Sequence, residues 1–230
     1  SDKGYKVGLM DVDLHGPSIS GLLGLSGVRI NTIGDKVQPL LYNDNLQVLS
    51  MQGFLTNPDN AVIWRGPQKA SVIRQFLADV AWGELDYLII DCPPGTGDEP
   101  LTVAQTIPDC QAVIVTTPQE VALADVRKSL HFCQLIKMKV LGIVENMSGF
   151  VCPNCGAVHP IFKTGGGEKT AAAWQVPFLG KLPIDPGVVE AGDEGYAVSH
   201  LAASTVKELQ ALVDRIDDLA ANPVPPEKCC

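Results

Sequence analysis

The sequence has no long apolar run and no excess of basic residues. No stretch approaches the roughly 18 to 20 apolar residues that a membrane span needs, and residues 1–6 are polar, unlike a secretion signal. Lys and Arg number 17 against 26 Asp and Glu, so the formal net charge is -9. Because this charge repels phosphate backbones and anionic lipids, we expect a cytoplasmic protein without nucleic-acid or membrane partners.

Cysteine is too sparse and too unevenly spaced for a secreted disulfide scaffold. The chain has 7 cysteines in 230 residues. Three of them lie in or beside apolar stretches, where we expect core thiols: Cys92, Cys110 and Cys133. The other four form two close pairs, Cys152 with Cys155 and Cys229 with Cys230. These two pairs are the candidates for metal chemistry.

Short apolar runs alternate with helical patterns along the chain. Buried parallel strands are predicted at residues 6–10, 87–90, 112–115 and 140–144, with another possible at 178–182. Helical spacing of apolar residues follows Pro67 and Pro118 and returns over residues 201–219. The pattern predicts an α/β protein with a doubly wound, mostly parallel sheet and a C-terminal helix.

One segment interrupts this alternation. Residues 27–53 contain three short apolar runs separated by turn residues, which predicts a small β-hairpin or β-meander insertion. Residues 222–230 are rich in proline, so we expect a disordered tail there. The remaining chain, residues 1–221, is predicted to form a single α/β domain.

Carboxylates follow two of the predicted strands. Asp11 and Asp13 come after the first strand, and Asp91 ends the second, before a Gly/Pro-rich loop that contains Gly95. Ligands of open α/β sheets bind beyond the carboxyl ends of the strands, and Mg²⁺ prefers oxygen ligands. These residues predict a site for hydrated Mg²⁺ and an attacking water, with simple turn capping by Asp11 and Asp91 as the alternative.

The sequence has no phosphate-binding loop of the type G-x-x-x-x-G-K-[ST]. The nearest segment, residues 163–170, has Lys163 and Glu168 at the two required glycine positions. The Glu168 carboxylate would oppose a phosphate. We therefore interpret this segment as a glycine-rich turn that leads into a helix near residues 171–174.

Cys152 and Cys155 form a C-P-x-C-G knuckle within residues 151–156. The proline and glycine of such a knuckle bend the loop so that both thiolates face one point. Tetrahedral metal sites and cubane clusters usually need four ligands, and the sequence has no second C-x-x-C. Two subunits related by a twofold axis would supply four thiolates, which predicts a homodimer. Zinc completed by His159 or by the terminal cysteines, and a redox dithiol, are the alternatives.

Four segments together resemble the Mrp-type (ApbC-like) iron–sulfur cluster carriers, which belong to the MinD/ParA group of deviant P-loop NTPases. The segments are residues 11–18, 64–67, 86–98 and 144–156. The resemblance implies a MinD-like P-loop NTPase fold and a homodimer that binds ATP. It also implies a [4Fe-4S] cluster, held between the subunits by Cys152 and Cys155 and delivered to apo iron–sulfur client proteins.

The resemblance assigns roles to individual residues. Asp13 matches the position associated with the attacking water, Asp91 the acid linked to Mg²⁺, and Asn146 the asparagine that contacts adenine. Asp11 joins the catalytic group. Further nucleotide contacts are expected at three positions: Gly95, Pro183 and Asp185.

The same family carries its phosphate loop about one helix before the strand at residues 6–10, upstream of Ser1. We expect the loop, and with it ATP hydrolysis, in a longer form of the protein. A parallel sheet without its first strand would expose apolar surface at a cost of ~25 cal/mol per Å². The alternative is that the protein does not bind nucleotide in the family manner.

Two other functions are considered: a MinD- or ParA-like positioning ATPase, and a zinc-knuckle binding module without turnover. A positioning ATPase acts through a membrane or DNA surface and would use a basic C-terminal helix or patch. The C-terminal helix predicted here is acidic, with Asp214, Asp217 and Asp218. The sequence therefore favours the cluster carrier.

Overall fold

The computed structural model describes residues 1–54, 66–152, 154–196 and 201–221. Trp64 and Arg65, Pro153 of the cysteine knuckle, and the predicted tail lie outside the described residues. The chain groups into two units, which are described separately. Unit 1 comprises Ser1–Pro108 and Val188–Ser199, and unit 2 comprises Asp109–Gly187 and His200–Cys230.

The secondary structure alternates between strands and helices. The strands are β1 Val7–Asp11, β2 Asn31–Ile33, β3 Lys36–Gln38, β4 Leu40–Asn43, β5 Leu46–Ser50, β6 Tyr87–Asp91, β7 Gln111–Thr116, β8 Lys139–Glu145, β9 Phe150–Val151, β10 Val158–His159 and β11 Phe178–Lys181. The α-helices are α1 Ile19–Leu22, α2 Gly66–Asp79, α3 Asp98–Thr106, α4 Glu120–Leu135, α5 Gly166–Trp174, α6 Pro186–Glu194 and α7 Ala203–Ala221. A short 3-10 helix covers Met51–Phe54.

The main sheet of unit 1 has the strand order β4-β5-β1-β6. β5, β1 and β6 are parallel, and β4 is antiparallel to β5. Met10 and Leu49 are fully buried in the core beside Ile73 and Phe76 of α2. Burial of each such side chain stabilises the fold by about 1.5 to 3 kcal/mol. The core therefore fixes where β1 ends, and with it the position of Asp11.

The insertion is shorter than the sequence pattern predicts. β2 and β3 form the expected antiparallel hairpin, with Gly34 at φ +60° in its turn. β5, in contrast, pairs in parallel with β1 along its whole length, from Val7 opposite Leu46 to Asp11 opposite Ser50. The end of β5 is buried on both faces, which is typical of an inner parallel strand. β5 thus belongs to the main sheet.

The sheet of unit 2 is parallel, with the order β11-β8-β7. α4 and α5 pack against it, and the core contains Ile114, Val126, Leu130 and Ile143. β9 and β10 form a separate antiparallel hairpin that carries the cysteine knuckle. The hairpin follows β8 directly, so β8 positions the knuckle.

The predicted α/β fold and C-terminal helix are confirmed. α7 contacts β11, and Arg215 Nη1 of this helix donates a 2.5 Å hydrogen bond to the Leu179 carbonyl. α3 and α6 were missed by the sequence pattern, since each has only 9 residues and few apolar ones. Among the described residues, no helix is both long enough and apolar enough to cross a membrane.

Candidate functional site

Asp11 lies at the carboxyl end of β1 with 1% of its surface exposed. Its carboxylate accepts hydrogen bonds from the backbone N–H of Asp13 at 3.1 Å, from that of Ile19 at 3.3 Å and from the Ser50 hydroxyl at 3.1 Å. Burial raises the pKa of Asp11, the three hydrogen bonds oppose the rise, and the charge of Asp91 adds to it. Asp11 is therefore both a turn-capping group and part of an acidic cluster.

Asp91 ends β6 directly opposite Asp11 in the β1–β6 register. Asp91 is exposed at the end of β6; partial loss of hydration nevertheless raises its pKa, and the nearby Asp13 carboxylate raises it further. Asp13 itself accepts hydrogen bonds from the backbone N–H groups of His15 and Gly16, at 3.1 and 3.0 Å. The structure thus brings the three predicted catalytic carboxylates together at one edge of unit 1.

This acidic cluster favours a cation but does not enclose one. Raised pKa values at Asp11 and Asp91 mean that their negative charges are unfavourable where they stand. Among the described residues, no group of three or more His, Cys, Asp or Glu side chains is arranged to hold a metal ion. A Mg²⁺ ion here would therefore need further oxygen ligands, such as waters and phosphates.

Gly95 lies in the loop between β6 and α3, at φ +96°, where glycine is favoured over other residues. The loop ends at α3, whose first turn carries Asp98 and Glu99. Glu99 is buried and forms an ion pair with Lys69 of α2, with 2.6 Å between Nζ and Oε1. The ion pair joins α2 to the loop that follows Asp91, a contact that the sequence pattern did not reveal.

The other predicted nucleotide contacts lie in unit 2. Asn146 follows β8; its Oδ1 accepts a 2.9 Å hydrogen bond from the Met147 N–H, and its own N–H donates to the Thr116 carbonyl at 2.7 Å. Pro183 and Asp185 follow β11. The adenine role of Asn146 stays a prediction.

Asp185 is held by backbone donors. Its carboxylate accepts hydrogen bonds from the N–H groups of Gly187 at 2.9 Å and Ala202 at 2.8 Å. Burial on its own would raise the pKa of Asp185, but the hydrogen bonds to the carboxylate outweigh burial and lower the pKa. Asp185 therefore ties the start of α6 to the start of α7, and its contact with a nucleotide stays a prediction.

The cysteine knuckle is a tight turn between β9 and β10. The N–H of Cys152 donates to the Ala157 carbonyl at 2.9 Å, and the N–H of Gly156 donates back to the Cys152 carbonyl at 2.9 Å. Gly156 has φ +71°, a value that favours glycine. Cys155 is exposed, Cys152 is half-buried, and both thiols are free. Both cysteines are therefore available to an external metal.

The knuckle also favours the thiolate form of Cys152. Hydrogen bonds from the backbone of Cys155 and of Asn154, followed by one from the Cys155 side chain, lower the pKa of Cys152. A thiolate is the form of cysteine that binds metals. Burial, by contrast, raises the pKa of the Cys110 and Cys133 thiols, in keeping with their predicted role as core thiols.

The glycine-rich segment, residues 163–170, does not present its backbone N–H groups to a phosphate. Glu145, at the end of β8, is fully buried, and its carboxylate accepts hydrogen bonds from the Gly165 N–H at 2.8 Å and the Gly167 N–H at 2.6 Å. The Ser148 hydroxyl donates a third bond at 2.5 Å. An internal carboxylate thus occupies the N-terminus of α5, where a phosphate would bind in a true phosphate loop. The predicted turn is confirmed, although α5 begins earlier, at Gly166.

Comparison with known proteins identifies the family. Residues 1–217 match the family described as ParA: NUBPL iron-transfer P-loop NTPase. The chain belongs to this family. An iron-sulfur cluster carrier protein of Methanocaldococcus jannaschii is 46% identical over 214 residues, covering 93% of this chain and 74% of the relative. A cytosolic Fe-S cluster assembly factor, the Nubp2 homolog of Drosophila grimshawi, is 51% identical over 227 residues, which cover 96% of this chain and 86% of the relative.

Solved structures agree with this family and with the fold. A nucleotide-binding protein of Archaeoglobus fulgidus in complex with ADP is 41% identical and superposes with a TM-score of 0.72, covering 85% of this chain and 76% of that protein. The cell division ATPase MinD of Pyrococcus furiosus superposes with a TM-score of 0.64 at 22% identity, covering 95% of this chain and 88% of that protein. The two proteins share a fold. The predicted resemblance to the iron–sulfur carriers within the MinD/ParA group is confirmed.

Proposed function

We propose that this protein is an iron–sulfur cluster carrier that holds a [4Fe-4S] cluster between two copies of the chain and transfers it to apo-proteins. The observation that carries the proposal is the pair of free thiols in one tight turn, the half-buried Cys152 and the exposed Cys155. The relatives named as an iron-sulfur cluster carrier and as a cytosolic Fe-S assembly factor support the role and a cytoplasmic location.

Ligand number supports a cluster shared by two subunits. Cys152 and Cys155 supply two thiolates, and no described group of three or more metal-binding side chains completes a site within one chain. His159 is exposed on β10 and is not part of such a group. A twofold arrangement of two knuckles would supply the four thiolates that a cubane cluster needs.

The surface around the knuckle supports a protein contact there. Several apolar side chains of unit 2 before, within and after the β9–β10 hairpin are exposed: Met147 (41%), Val151 (38%), Val158 (63%), Ile161 (57%) and Phe162 (37%). Apolar groups that accumulate on one surface mark interaction sites. We call these five residues the knuckle surface and assign it to the second copy of the chain, because that contact brings the two cysteine pairs together.

ATP and Mg²⁺ complete the proposal. Mg²⁺ would be held at Asp11 and Asp91 together with nucleotide phosphates, where it would neutralise charge, and Asp13 would orient the attacking water. The ADP complex of the Archaeoglobus fulgidus relative supports nucleotide binding. The 230 residues contain no loop of the type G-x-x-x-x-G-K-[ST], so ATP hydrolysis stays a prediction for a chain that contains such a loop.

The test is anaerobic reconstitution with iron and sulfide. We expect the unaltered chain to bind iron and sulfide, to gain visible absorption and to sediment as a dimer. Cys152→Ser and Cys155→Ser should each lose most of the iron and the dimer. Cys110→Ser is the matched control, since this thiol is outside the knuckle and burial raises its pKa.

Equal iron and equal visible absorption in Cys152→Ser and the unaltered chain would disprove the cluster assignment. Zinc in place of iron, found by metal analysis of protein purified without oxygen, would support a zinc-knuckle module instead.

A further inference from the structure

An open cleft in unit 2 has no role in the proposed function. It lies between α4 and α5, at the turn that precedes α5, and its volume is about 370 Å³. This size lies within the range of small-ligand sites, about 300 to 1,000 Å³. The side chains that matter for its chemistry are Leu123, Arg127, Lys163, Lys169 and Trp174, together with one carboxylate, that of Glu120.

The lining is cationic on a chain of net charge -9. In the part of the chain that the structure describes, the Lys163 and Lys169 ammonium groups have no hydrogen-bond or ion-pair partner. Arg127 pairs with Glu120 at 2.7 Å, but both side chains are largely exposed, at 42% and 71%. Exposed ion pairs of this kind contribute little to stability, so Arg127 is free to exchange partners. The cleft therefore attracts anionic groups.

The lining is also apolar. Pro118 and Leu123 are buried, and Trp174 is half-buried beside them. A bare phosphate would leave the exposed part of the Trp174 side chain in water. The backbone N–H groups of Gly165 and Gly167, which are the usual phosphate donors at a helix N-terminus, are already bound to Glu145. The cleft thus fits an apolar side chain with carboxylates beside it better than it fits a phosphate.

The turn that carries Lys163 is held in place. Lys163 has φ +70°, in the left-handed region that non-glycine residues rarely adopt. Its N–H donates to the Pro160 carbonyl at 3.0 Å, and the neighbouring Gly165 has φ +79°. A lysine at such a position is less favourable than a glycine, and strain of this kind is common at binding sites.

We propose that this cleft binds an acidic peptide segment of a partner protein. An aromatic or aliphatic side chain of the segment enters beside Leu123 and Trp174, and its flanking carboxylates pair with Lys163, Lys169 and Arg127. The cleft contains neither cysteine of the knuckle and no residue of the acidic cluster, although Lys163 directly follows Phe162 of the knuckle surface.

A synthetic probe tests the proposal on the full chain. The probe is an acetylated, amidated hexapeptide with two glutamates on each side of a Phe-Leu pair, titrated by calorimetry at about 0.15 M salt. The matched peptide has glutamine for every glutamate. We expect the acidic peptide to bind at least about tenfold more tightly than the glutamine peptide.

Three variants locate the site. K163Q/K169Q should weaken binding about tenfold or more, and Ala173→Glu, at an exposed position of the lining, should abolish it. Lys128→Gln is the control, because Lys128 is on the same helix α4, is 73% exposed and pairs with Asp125 outside the cleft. We expect Lys128→Gln to bind the peptide as the unaltered chain does.

Three results would overturn the proposal. One is equal binding of the acidic and glutamine peptides, and another is a loss in Lys128→Gln as large as in K163Q/K169Q. The third is displacement of the peptide by an equal concentration of inorganic phosphate. Circular dichroism verifies folding, and cluster uptake by the same variants should be unchanged, which separates this proposal from the cluster assignment.

Discussion

At the scale of single residues, the acidic cluster of unit 1 carries a cost that a cation would remove. Asp11 and Asp91 are opposite each other at the ends of β1 and β6, and each has a raised pKa with burial as its first cause. The hydrogen bonds to the Asp11 carboxylate show that it caps its turn, while its role in metal binding stays a prediction. The clearest candidate for binding is Asp91, whose carboxylate accepts no hydrogen bond from the described residues.

Asp91→Asn should therefore stabilise the free protein at neutral pH. The pKa of Asp91 is higher in the folded chain than its ordinary 3.8, so the folded state binds more protons than the unfolded state. The free energy of unfolding that Asp91 contributes is present below pH 3.8, and it is lost as the pH rises through the pKa that Asp91 has in the folded chain. We expect a gain of about 0.5 kcal/mol at pH 7, reduced by solvent screening, and no gain at pH 3, from urea unfolding.

Glu84→Gln is the control for this prediction, because Glu84 is exposed and outside the cluster. If Asp91→Asn and the unaltered chain are equally stable at both pH values, the negative charge of Asp91 does not destabilise the fold. Lower stability at pH 7 would show that the Asp91 carboxylate has a favourable partner in the fold.

At the scale of elements, the ends of the strands and helices decide what each loop can bind. The N-terminus of α5 follows a glycine-rich turn, as in nucleotide-binding proteins, but the buried Glu145 carboxylate occupies it. Gly167 is favoured here, since a Cβ would make tight contacts, 3.1 Å from the Glu145 Cβ and 3.2 Å from Thr116 Cγ2. The hydrogen bond from the Gly165 N–H to Glu145 also orders the turn that contributes Lys163 to the cleft.

Glu145→Gln should destabilise the protein by about 1 to 3 kcal/mol in urea unfolding. The amide removes the charge at the helix N-terminus and replaces one acceptor oxygen with a donor that would face another N–H. Glu168→Gln is the matched control, since Glu168 is in the first turn of the same helix but is exposed. Equal losses in the two variants would mean that the buried carboxylate has no special role in capping α5.

At the scale of the whole molecule, the proposed function depends on a second copy of the chain. One knuckle provides two thiolates, and the knuckle surface around it is apolar and exposed. Both features are explained by a dimer in which two knuckles share one cluster. The grouping of the chain into two units leaves the prediction of a single domain over residues 1–221 open.

Val158→Glu should weaken the cluster-loaded dimer at least about tenfold, because it introduces a charge on the knuckle surface that the partner would have to bury. Sedimentation velocity under anaerobic conditions measures the effect. Leu41→Glu is the control, since Leu41 on β4 is also exposed, at 74%, compared with 63% for Val158, but lies in unit 1. A dimer equally stable in both variants would place the subunit contact elsewhere.

The amino-acid sequence by itself predicted the parallel strands β1, β6, β7, β8 and β11, the family, and the residues of both candidate sites, whose roles stay predictions. These features depend on local patterns: apolar runs such as residues 140–144, acids placed directly after strands, and the spacing of Cys152 and Cys155. Such patterns can be recognised in the sequence because strand burial and ligand spacing depend on residues that are close together along the chain.

Tertiary structure decided the rest, because it depends on contacts between residues far apart in the chain. The pairing of β5 with β1 moved residues 46–50 from the predicted insertion into the main sheet. Glu145 on β8 accepts hydrogen bonds from the N-terminus of α5, although β9 and β10 lie between them in the chain. The cleft forms only where α4 meets the turn before α5. Neither contact has a signature in the local sequence, since each joins side chains whose proximity is created by packing.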